Sequence, residues 1–279
     1  MQALVYNKRL VFNSRSVDMT HFEWQLLAPM DAIVFDCDAT LSQVEGIDIL
    51  AKENGVEKAV HQLTEEAMGK TGITEKLYEQ RLDLVKPTVQ QLAQLGATYY
   101  EHVTPDADRL IHTFHHLKKA VYVISAGIRS AVENFAARLG VPSQHVFAVE
   151  VYFDEQGRYA EFDHHSPMTR RYGKCEIIEK LKQTHPRVLS IGDGINDVET
   201  AGIVSRFVGY GGANFREHIA NLCDFYIGSP SLLPLLPLAL TKKESTQLSE
   251  TLRPIYEEGL QYMTTGKVLM HKAQEKLNE

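Results

Sequence analysis

The stretch VFDCDATL, residues 34–41, ends a short apolar run with Asp36, Asp38 and Thr40. The run is typical of a buried strand, which we expect to begin near Asp31. Two unit charges about 4 Å apart at an effective dielectric near 20 repel each other by roughly 4 kcal/mol. The two carboxylates at the end of this strand are therefore costly unless a cation shares them.

Composition limits the kinds of partner. The chain has 279 residues, of which 44% are hydrophobic, enough for one large core and a smaller second domain. The formal net charge is −7 and no polybasic run occurs, which argues against nucleic acid. No apolar run is long enough for a membrane span or a signal segment, so we expect no membrane partner and a cytoplasmic location. The three cysteines include no C-x-x-C pair, which argues against zinc or redox chemistry.

The hydrophobic periodicity changes along the chain. From residue 44 to about 96 it is helical, without strands, and Pro87 suits the first position of the fourth helix. From residue 98 onward, strand and helix patterns alternate, which indicates a mostly parallel α/β sheet. The pattern also predicts short elements outside this series: an N-terminal hairpin (3–13) and helix (16–27), a hairpin within 145–162, a strand over 203–210, helices over 196–202 and 214–223, and one or two helices after residue 242.

Polar residues follow several of the predicted strands. The strand VYVIS ends at Ser125, and SIGD ends at Asp193 with Asn196 and Asp197 next to it. Ligands of parallel α/β sheets gather at the carboxyl ends of the strands, so we expect these side chains to meet Asp36 there. Oxygen ligands favour Mg²⁺ over zinc. The sequence therefore predicts a magnesium site at this edge.

The combination of a metal, carboxylates, a hydroxyl and a lysine suits phosphoryl transfer. The metal and Lys174 would neutralise phosphate oxygens, and Ser125 would hold another. Asp36 could attack phosphorus in line, and Asp38 could protonate the leaving oxygen.

These motifs resemble those of the haloacid dehalogenase superfamily: D-x-D-x-T at 36–40, a strand-end Ser, a Lys, and G-D-G-x-N-D at 192–197. Across 31–230 the chain is also similar to the phosphoserine phosphatase family. The resemblance implies a doubly wound, Rossmann-like sheet with an inserted helical cap. The expected division is an N-terminal extension (1–30), an α/β core (31–43 and 98–235), a cap (44–97) and a C-terminal helical extension (236–279).

The resemblance also implies roles for single residues. Asp36 would be the nucleophile and Asp38 the acid and base. Mg²⁺ would be held by Asp36, by Asp193 and by the backbone carbonyl of Asp38, with Asp197 outside these direct ligands or bound to the ion through water. Thr40 would orient the aspartates. The phosphate would be bound by Ser125, Ala126, Gly127, Lys174 and Asn196. The amino-acid part of the substrate would be bound by Glu45, Met68 and Arg81.

Three positions depart from the family pattern. Ala126 and Ile128 replace a glycine and a phenylalanine after the strand-end Ser, and a positive φ at Ala126 would be strained. Thr74 replaces an apolar residue of the cap, which would weaken the seal over the leaving group.

The expected activity is a magnesium-dependent phosphomonoesterase acting on O-phospho-L-serine, and a homodimer is compatible with it. The alternatives are another small phosphomonoester, such as a nucleotide or phospho-amine, and a sensor that binds a phospho-ligand without catalysis. Because binding requires neither a nucleophile nor an acid, the presence of both Asp36 and Asp38 favours catalysis.

Overall fold

A parallel sheet with an antiparallel edge strand forms the centre of the molecule. The computed structural model describes residues 24–66 and 74–270. Among these residues seven strands form one sheet in the order β3-β2-β1-β6-β7-β8-β9, and only the β8–β9 pair is antiparallel. A separate hairpin joins β4 to β5. The strands are β1 Ala32–Phe35, β2 Ala120–Ile128, β3 Val146–Val149, β4 Val151–Phe153, β5 Tyr159–Phe162, β6 Val188–Gly192, β7 Arg206–Tyr210, β8 Phe225–Ile227 and β9 Val268–Met270. The predicted α/β fold is confirmed.

The register of the central strands brings the polar strand ends together. Phe35 at the end of β1 lies beside Val123 of β2 and Ile191 of β6. All four residues of β1 are buried, as its continuous apolar run predicts for a strand covered on both faces. The residues that follow these paired positions, among them Asp36 and Asp193, therefore lie at one edge of the sheet.

The helices surround this sheet, and five of those described fall between β1 and β2, of which the first four form an insertion after β1. They are α1 Gly46–Glu53, α2 Glu57–Glu66, α3 Glu75–Val85, α4 Val89–Glu101, α5 Ala107–His116, α6 Arg129–Arg138, α7 Gly173–Leu181, α8 Ile195–Val198, α9 Glu217–Ala220, α10 Leu235–Leu238, α11 Lys242–Thr246 and α12 Arg253–Thr264. Of the helices that the structure describes, none has the length and apolar character needed to cross a bilayer.

The fourth helix begins two residues later than predicted, at Val89, and ends beyond residue 97. Thr88 and Gln91 form a capping box, in which the Thr88 hydroxyl accepts from the Gln91 backbone N–H at 3.2 Å. Pro87 therefore precedes the N-cap instead of occupying the first helical position, because a hydroxyl can satisfy a free N–H and proline cannot.

The segments that enter and leave the four-helix insertion bind each other. Ser42 forms a bridge with Val103, and its hydroxyl donates to the carbonyl oxygen of Tyr99 at 3.0 Å. The Thr104 hydroxyl donates to the carbonyl oxygen of Thr40 at 2.7 Å. These bonds hold the end of α4 close to the turn after β1.

The C-terminal part was predicted to be helical, but it also contains a strand. After α12 the chain forms β9, which pairs antiparallel with β8 and extends the sheet. This strand has three residues, too short for a periodic pattern, so tertiary pairing decides its structure. The helices α10 and α11 attach to the core through buried leucines and through Lys119, whose ammonium lies 2.7 Å from Glu244.

Other predicted elements differ at their ends. The hairpin within 145–162 is confirmed as β4–β5, although its first residues form β3 of the main sheet. The strand expected over 203–210 begins only at Arg206, because residues 199–202 form a 3₁₀ turn that continues α8. The helix expected over 214–223 is reduced to α9, since Arg216 donates its backbone N–H to the Tyr226 hydroxyl instead.

The N-terminal predictions fall mostly on residues 1–23, outside the described residues. The last part of the helix expected over 16–27 is described and is not helical. Leu26 there forms a parallel bridge with Thr241, so these residues extend along the C-terminal segment.

Packing of the C-terminal segment against the core can be tested at α10. Leu236 is fully buried, so Leu236→Ala should lower the free energy of unfolding by about 2–5 kcal/mol. Leu222→Ala is the matched control, because Leu222 is 55% exposed and should cost no more than about 0.5 kcal/mol. Urea denaturation measures both. Equal, small losses would show that α10 does not belong to the folded core.

Candidate active site

Three carboxylates meet at the carboxyl edge of the sheet. Asp36 follows β1, Asp193 follows β6 and Asp197 lies on α8. One carboxylate oxygen from each lies within 4.8 Å of the others, and all three residues are buried. The strand ends thus bring together the carboxylates that the sequence predicted would meet. Asp197 belongs to this cluster through its own carboxylate.

Burial makes this cluster electrostatically unfavourable without a cation. It raises the pKa of Asp36 well above its ordinary value, and the charge of Asp197 raises it further, against the opposing effect of Lys174. Burial likewise raises the pKa of Asp193 to about 6, although Arg216 acts in the opposite direction. The positive charges around the cluster therefore do not fully compensate its negative charge.

Lys174 is the buried ammonium of the site. Its Nζ lies 2.6 Å from Asp197 Oδ1 and 2.8 Å from Asp36 Oδ1. Burial by itself would lower the pKa of Lys174, but the two carboxylates raise it above its ordinary value, so the side chain stays charged. The lysine reaches the cluster from the first turn of α7, which begins after Tyr172 in the left-handed conformation with φ of 60°.

The donor set of the cluster suits a hard divalent cation. Its ligand atoms are carboxylate oxygens, without a ring nitrogen or thiolate among the clustered groups. The raised pKa values of Asp36 and Asp193 show that added positive charge would stabilise their ionised forms.

Asp38 does not join the cluster with its carboxylate. Its Oδ1 accepts the Tyr99 hydroxyl at 2.6 Å and the Gly46 backbone N–H at 2.7 Å. Its Oδ2 accepts the Ser125 hydroxyl at 3.2 Å. Burial and the nearby Asp38 raise the pKa of Tyr99 well above its ordinary value, so its hydroxyl remains a donor. The two aspartates of the 36–38 motif thus have separate surroundings.

The end of β2 forms a narrow wall beside Asp38. The Gly127 backbone N–H donates to the Ser125 hydroxyl at 2.8 Å. A side chain at Gly127 would place its Cβ 2.9 Å from Asp38 Oδ2 and 3.0 Å from Ser125 Oγ, so only glycine fits. Ala126 is not among the described residues with positive φ, so the strain expected there is absent. Ala126 and Asn196 line the same pocket.

The same pocket is also lined by the carboxylate of Glu45 and the buried guanidinium of Arg81. Glu45 Oε1 and Arg81 Nε have no hydrogen-bond partner among the described residues. Burial raises the pKa of Glu45 well above its ordinary value, with further contributions from Asp193 and Asp38. Burial lowers the pKa of Arg81. Buried apolar side chains, including that of Ile128, line the same pocket.

Two residues of the site were not predicted from the sequence. Tyr99 reaches Asp38 from α4. Arg216 donates to the carboxylate and to the backbone carbonyl of Asp193, and its guanidinium lies 3.8 Å from Glu45 Oε1. The position of Arg216 after the glycine-rich YGGAN, beyond β7, is a signal that could have found it. Nothing in the sequence distinguishes Tyr99 from other helical tyrosines.

Three other predictions turn out differently or cannot be compared. The Thr40 hydroxyl, expected to orient the aspartates, makes no hydrogen bond to a described residue, because the turn buries it while the Thr40 carbonyl accepts from Thr104. Thr74, expected in the pocket, is exposed and caps α3 by accepting from the Leu77 backbone N–H at 3.2 Å. Met68 lies outside the described residues.

The comparison with known proteins agrees with this geometry. The family model described as haloacid dehalogenase-like hydrolase matches residues 30–202. The chain belongs to this family of hydrolases. Phosphoserine phosphatase from Bos taurus is 37% identical over 204 residues, which are 72% of this chain and 91% of that protein. The chloroplastic phosphoserine phosphatase of Arabidopsis thaliana is 31% identical over 202 residues, 71% of this chain and 68% of that protein. The hydrolase is thus a member of the phosphoserine phosphatase family, as its motifs predicted.

Solved structures show the same fold as this hydrolase. A phosphoserine phosphohydrolase-like protein from Francisella tularensis superposes with a TM-score of 0.66 at 23% identity, over 75% of this chain and 98% of that chain. A phosphoserine phosphatase with an analogue of a phospho-aspartyl intermediate gives a TM-score of 0.64 at 24% identity, with the same coverage of 75% and 98%.

The charge of the cluster predicts how stability depends on pH in the metal-free hydrolase. The pKa of Asp193 is 3.8 ordinarily and about 6 in the folded protein. The folded state therefore binds more protons in this window, and stability falls as the pH rises through it. The asparagine of Asp193→Asn cannot ionise. The free energy of unfolding of this variant, relative to that of wild type, should therefore rise by about 3 kcal/mol from about pH 4 to about pH 7.

Urea denaturation in chelator at both pH values measures this gain. Asp83→Asn is the control, since Asp83 is exposed and its replacement should change stability little at either pH. A difference between Asp193→Asn and wild type that is the same at both pH values would contradict the prediction.

Proposed function

We propose that this hydrolase is a magnesium-dependent phosphomonoesterase that converts O-phospho-L-serine to L-serine and phosphate through an aspartyl-phosphate. The observation that carries the proposal is the shared pocket. The carboxylate cluster and Lys174 line it together with Glu45 and Arg81, whose Oε1 and Nε atoms make no hydrogen bond to a described residue. A small phosphoester with an amino and a carboxylate group complements both sets of side chains.

Asp36, Asp193 and Asp197, with the backbone carbonyl of Asp38, would hold Mg²⁺. When bound, the ion supplies positive charge that offsets the carboxylates and draws phosphate oxygens to this edge of the sheet. The raised pKa values of Asp36 and Asp193 support this assignment, because they indicate that the metal-free cluster lacks positive charge.

The chain's own residues then divide the chemistry. A carboxylate oxygen of Asp36 forms a bond to phosphorus, and the bond between phosphorus and the serine oxygen breaks with its electron pair on that oxygen. Asp38 gives its proton to this oxygen, and L-serine leaves. A water molecule next attacks phosphorus and loses a proton to Asp38. The bond to Asp36 breaks, which releases phosphate and restores both aspartates.

Positioning of the phosphate falls to groups along the pocket wall. Lys174 supplies a buried positive charge, and Ser125 with the backbone of Ala126 and Gly127 supplies hydrogen-bond donors. Asn196 lies on the same lining, beside the start of α8. Thr40 would act through the backbone of its turn, since its carbonyl ties the turn to Thr104.

Recognition of the amino acid falls to the inserted helices. Glu45 would pair with the ammonium group, and Arg81 would grip the carboxylate with two parallel hydrogen bonds. Met68 stays a substrate-binding residue implied by the family resemblance alone. We further propose that residues 44–97 act as a cap that excludes water from the reacting phosphate, because α1, α3 and α4 contribute side chains to its pocket. A homodimer and a cytoplasmic location stay predictions from the sequence.

The covalent step gives the first test. Wild type with Mg²⁺ and substrate carrying labelled phosphate should show label on the protein that survives acid but not hydroxylamine, as expected of an acyl phosphate. Asp36→Asn should lose both label and turnover, and chelator should abolish turnover until Mg²⁺ is restored. Asp38→Asn should slow turnover by about 10²–10⁴.

Asp31→Asn is a suitable control, because Asp31 lies at the opposite end of β1 and pairs with Arg187. Acyl-phosphate label on Asp36→Asn, or full turnover of metal-free protein, would contradict the mechanism.

Arg81 gives the test of the substrate. Loss of a buried charge-assisted pair should make Arg81→Ala about a hundredfold less efficient in kcat/KM on O-phospho-L-serine. Phosphoethanolamine lacks the carboxylate, so its kcat/KM should change far less. Arg138→Ala, at an exposed position on α6, is the matched control. An equal loss on both substrates, or a wild type that prefers a nucleotide monophosphate, would reject the amino-acid substrate and leave the phosphatase chemistry in place.

A further inference from the structure

The two oxygens of the Asp38 carboxylate differ in their partners. Oδ1 accepts two short hydrogen bonds, from the Tyr99 hydroxyl at 2.6 Å and from the Gly46 backbone N–H at 2.7 Å. Oδ2 accepts one longer bond, from Ser125 at 3.2 Å, and faces Gly127 at the end of β2. The oxygen on the phosphate side is therefore the one with fewer partners.

Tyr99 is held firmly where it makes this bond. The residue is 1% exposed, and its ring packs against Phe135 with 5.6 Å between ring centroids. At Gly46, the first residue of α1, a side chain would collide with the Tyr99 hydroxyl. The absence of a Cβ at Gly46 thus allows the hydroxyl and the Gly46 N–H to reach the same oxygen.

We propose that Tyr99 is a positioning residue that occupies Oδ1 of Asp38 and so makes Oδ2 the oxygen that carries the proton to the leaving alcohol. Two donors already occupy the two lone-pair positions of Oδ1, so the proton of the acid form has room only on Oδ2. This inference rests on the proposed phosphatase function, because it concerns the proton that Asp38 gives to the leaving group.

The proposed step balances without a co-reactant. The Oδ2–H bond of Asp38 breaks and an O–H bond forms on the serine oxygen, which keeps the electron pair of the broken P–O bond. Asp38 becomes a carboxylate, and its growing negative charge strengthens the bond from Tyr99. The proton of Tyr99 stays on Tyr99 throughout, so this residue transfers nothing itself.

Substrates whose leaving groups differ in their need for a proton can distinguish this positioning role of Tyr99 from a role in packing alone. Serine leaves as an alcohol and requires a proton, whereas acetate leaves acetyl phosphate without one. In Tyr99→Phe, release of serine from O-phospho-L-serine should slow about tenfold, because part of the acid catalysis is lost. Release of acetate should slow by less than about threefold. KM for O-phospho-L-serine should change little.

The measurement is rapid quench in the first turnover of the full chain with Mg²⁺, before hydrolysis of the phosphoenzyme contributes. A loss of folded protein lowers both releases equally and cancels in their ratio. Tyr100→Phe is the matched control, because Tyr100 is the next residue of α4 and is 41% exposed. It should leave both releases unchanged. In an Asp38→Asn background, Tyr99→Phe should slow serine release by less than about a further twofold, since it acts through Asp38.

The outcomes separate this inference from the function on which it rests. Equal slowing of both releases, no slowing of either, or a full tenfold loss in the Asp38→Asn background would overturn the role of Tyr99 alone. Wild type that forms no phosphoenzyme and releases no serine from O-phospho-L-serine would overturn the proposed function, and this inference with it.

Discussion

The ion pairs of Lys174 with Asp36 and Asp197 are the constraint on which the site depends. The three clustered carboxylates are buried at one sheet edge, where their mutual repulsion is weakly screened. Lys174 reaches them only because α7 begins immediately after a tight turn with Tyr172 in the left-handed conformation. At Gly173, a side chain would collide with the carbonyl of Pro167. A local backbone requirement therefore determines whether the cluster can be assembled without a metal.

The turn after β1 gives two nearby aspartates different surroundings. In a continuing strand, Asp36 and Asp38 would point to the same face, because side chains alternate with a period of two. Instead the chain turns at Cys37–Leu41, with Ala39 at φ of 51°. Asp36 consequently joins Lys174 in the cluster, while Asp38 binds groups from β2 and from the inserted helices. The proposed nucleophile and the proposed proton donor can thus lie close together without sharing one electrostatic environment.

The features that could be predicted from the sequence are those that depend on a local pattern of apolar and polar residues. Apolar runs define β1 and β6, and parallel register then brings Asp36 and Asp193 to one edge, so the cluster could be predicted. The contact of Tyr99 with Asp38 could not, because it depends on how α4 returns to β1 through Ser42 and Val103. The short strand β9 was missed for a similar reason: three residues carry no period, and only pairing with β8 makes them a strand.

Two buried atoms of the pocket that lack a hydrogen bond connect stability with selectivity. A buried polar atom without a hydrogen bond costs about 1–3 kcal/mol, and among the described residues both Glu45 Oε1 and Arg81 Nε are in this state. The proposed ligand, with an ammonium and a carboxylate, would remove both penalties, whereas an apolar ligand of the same size would remove neither. The fold is therefore less stable at this place than an apolar core would be. That same deficit gives the complementary ligand its advantage, because discrimination comes from what other ligands leave unsatisfied.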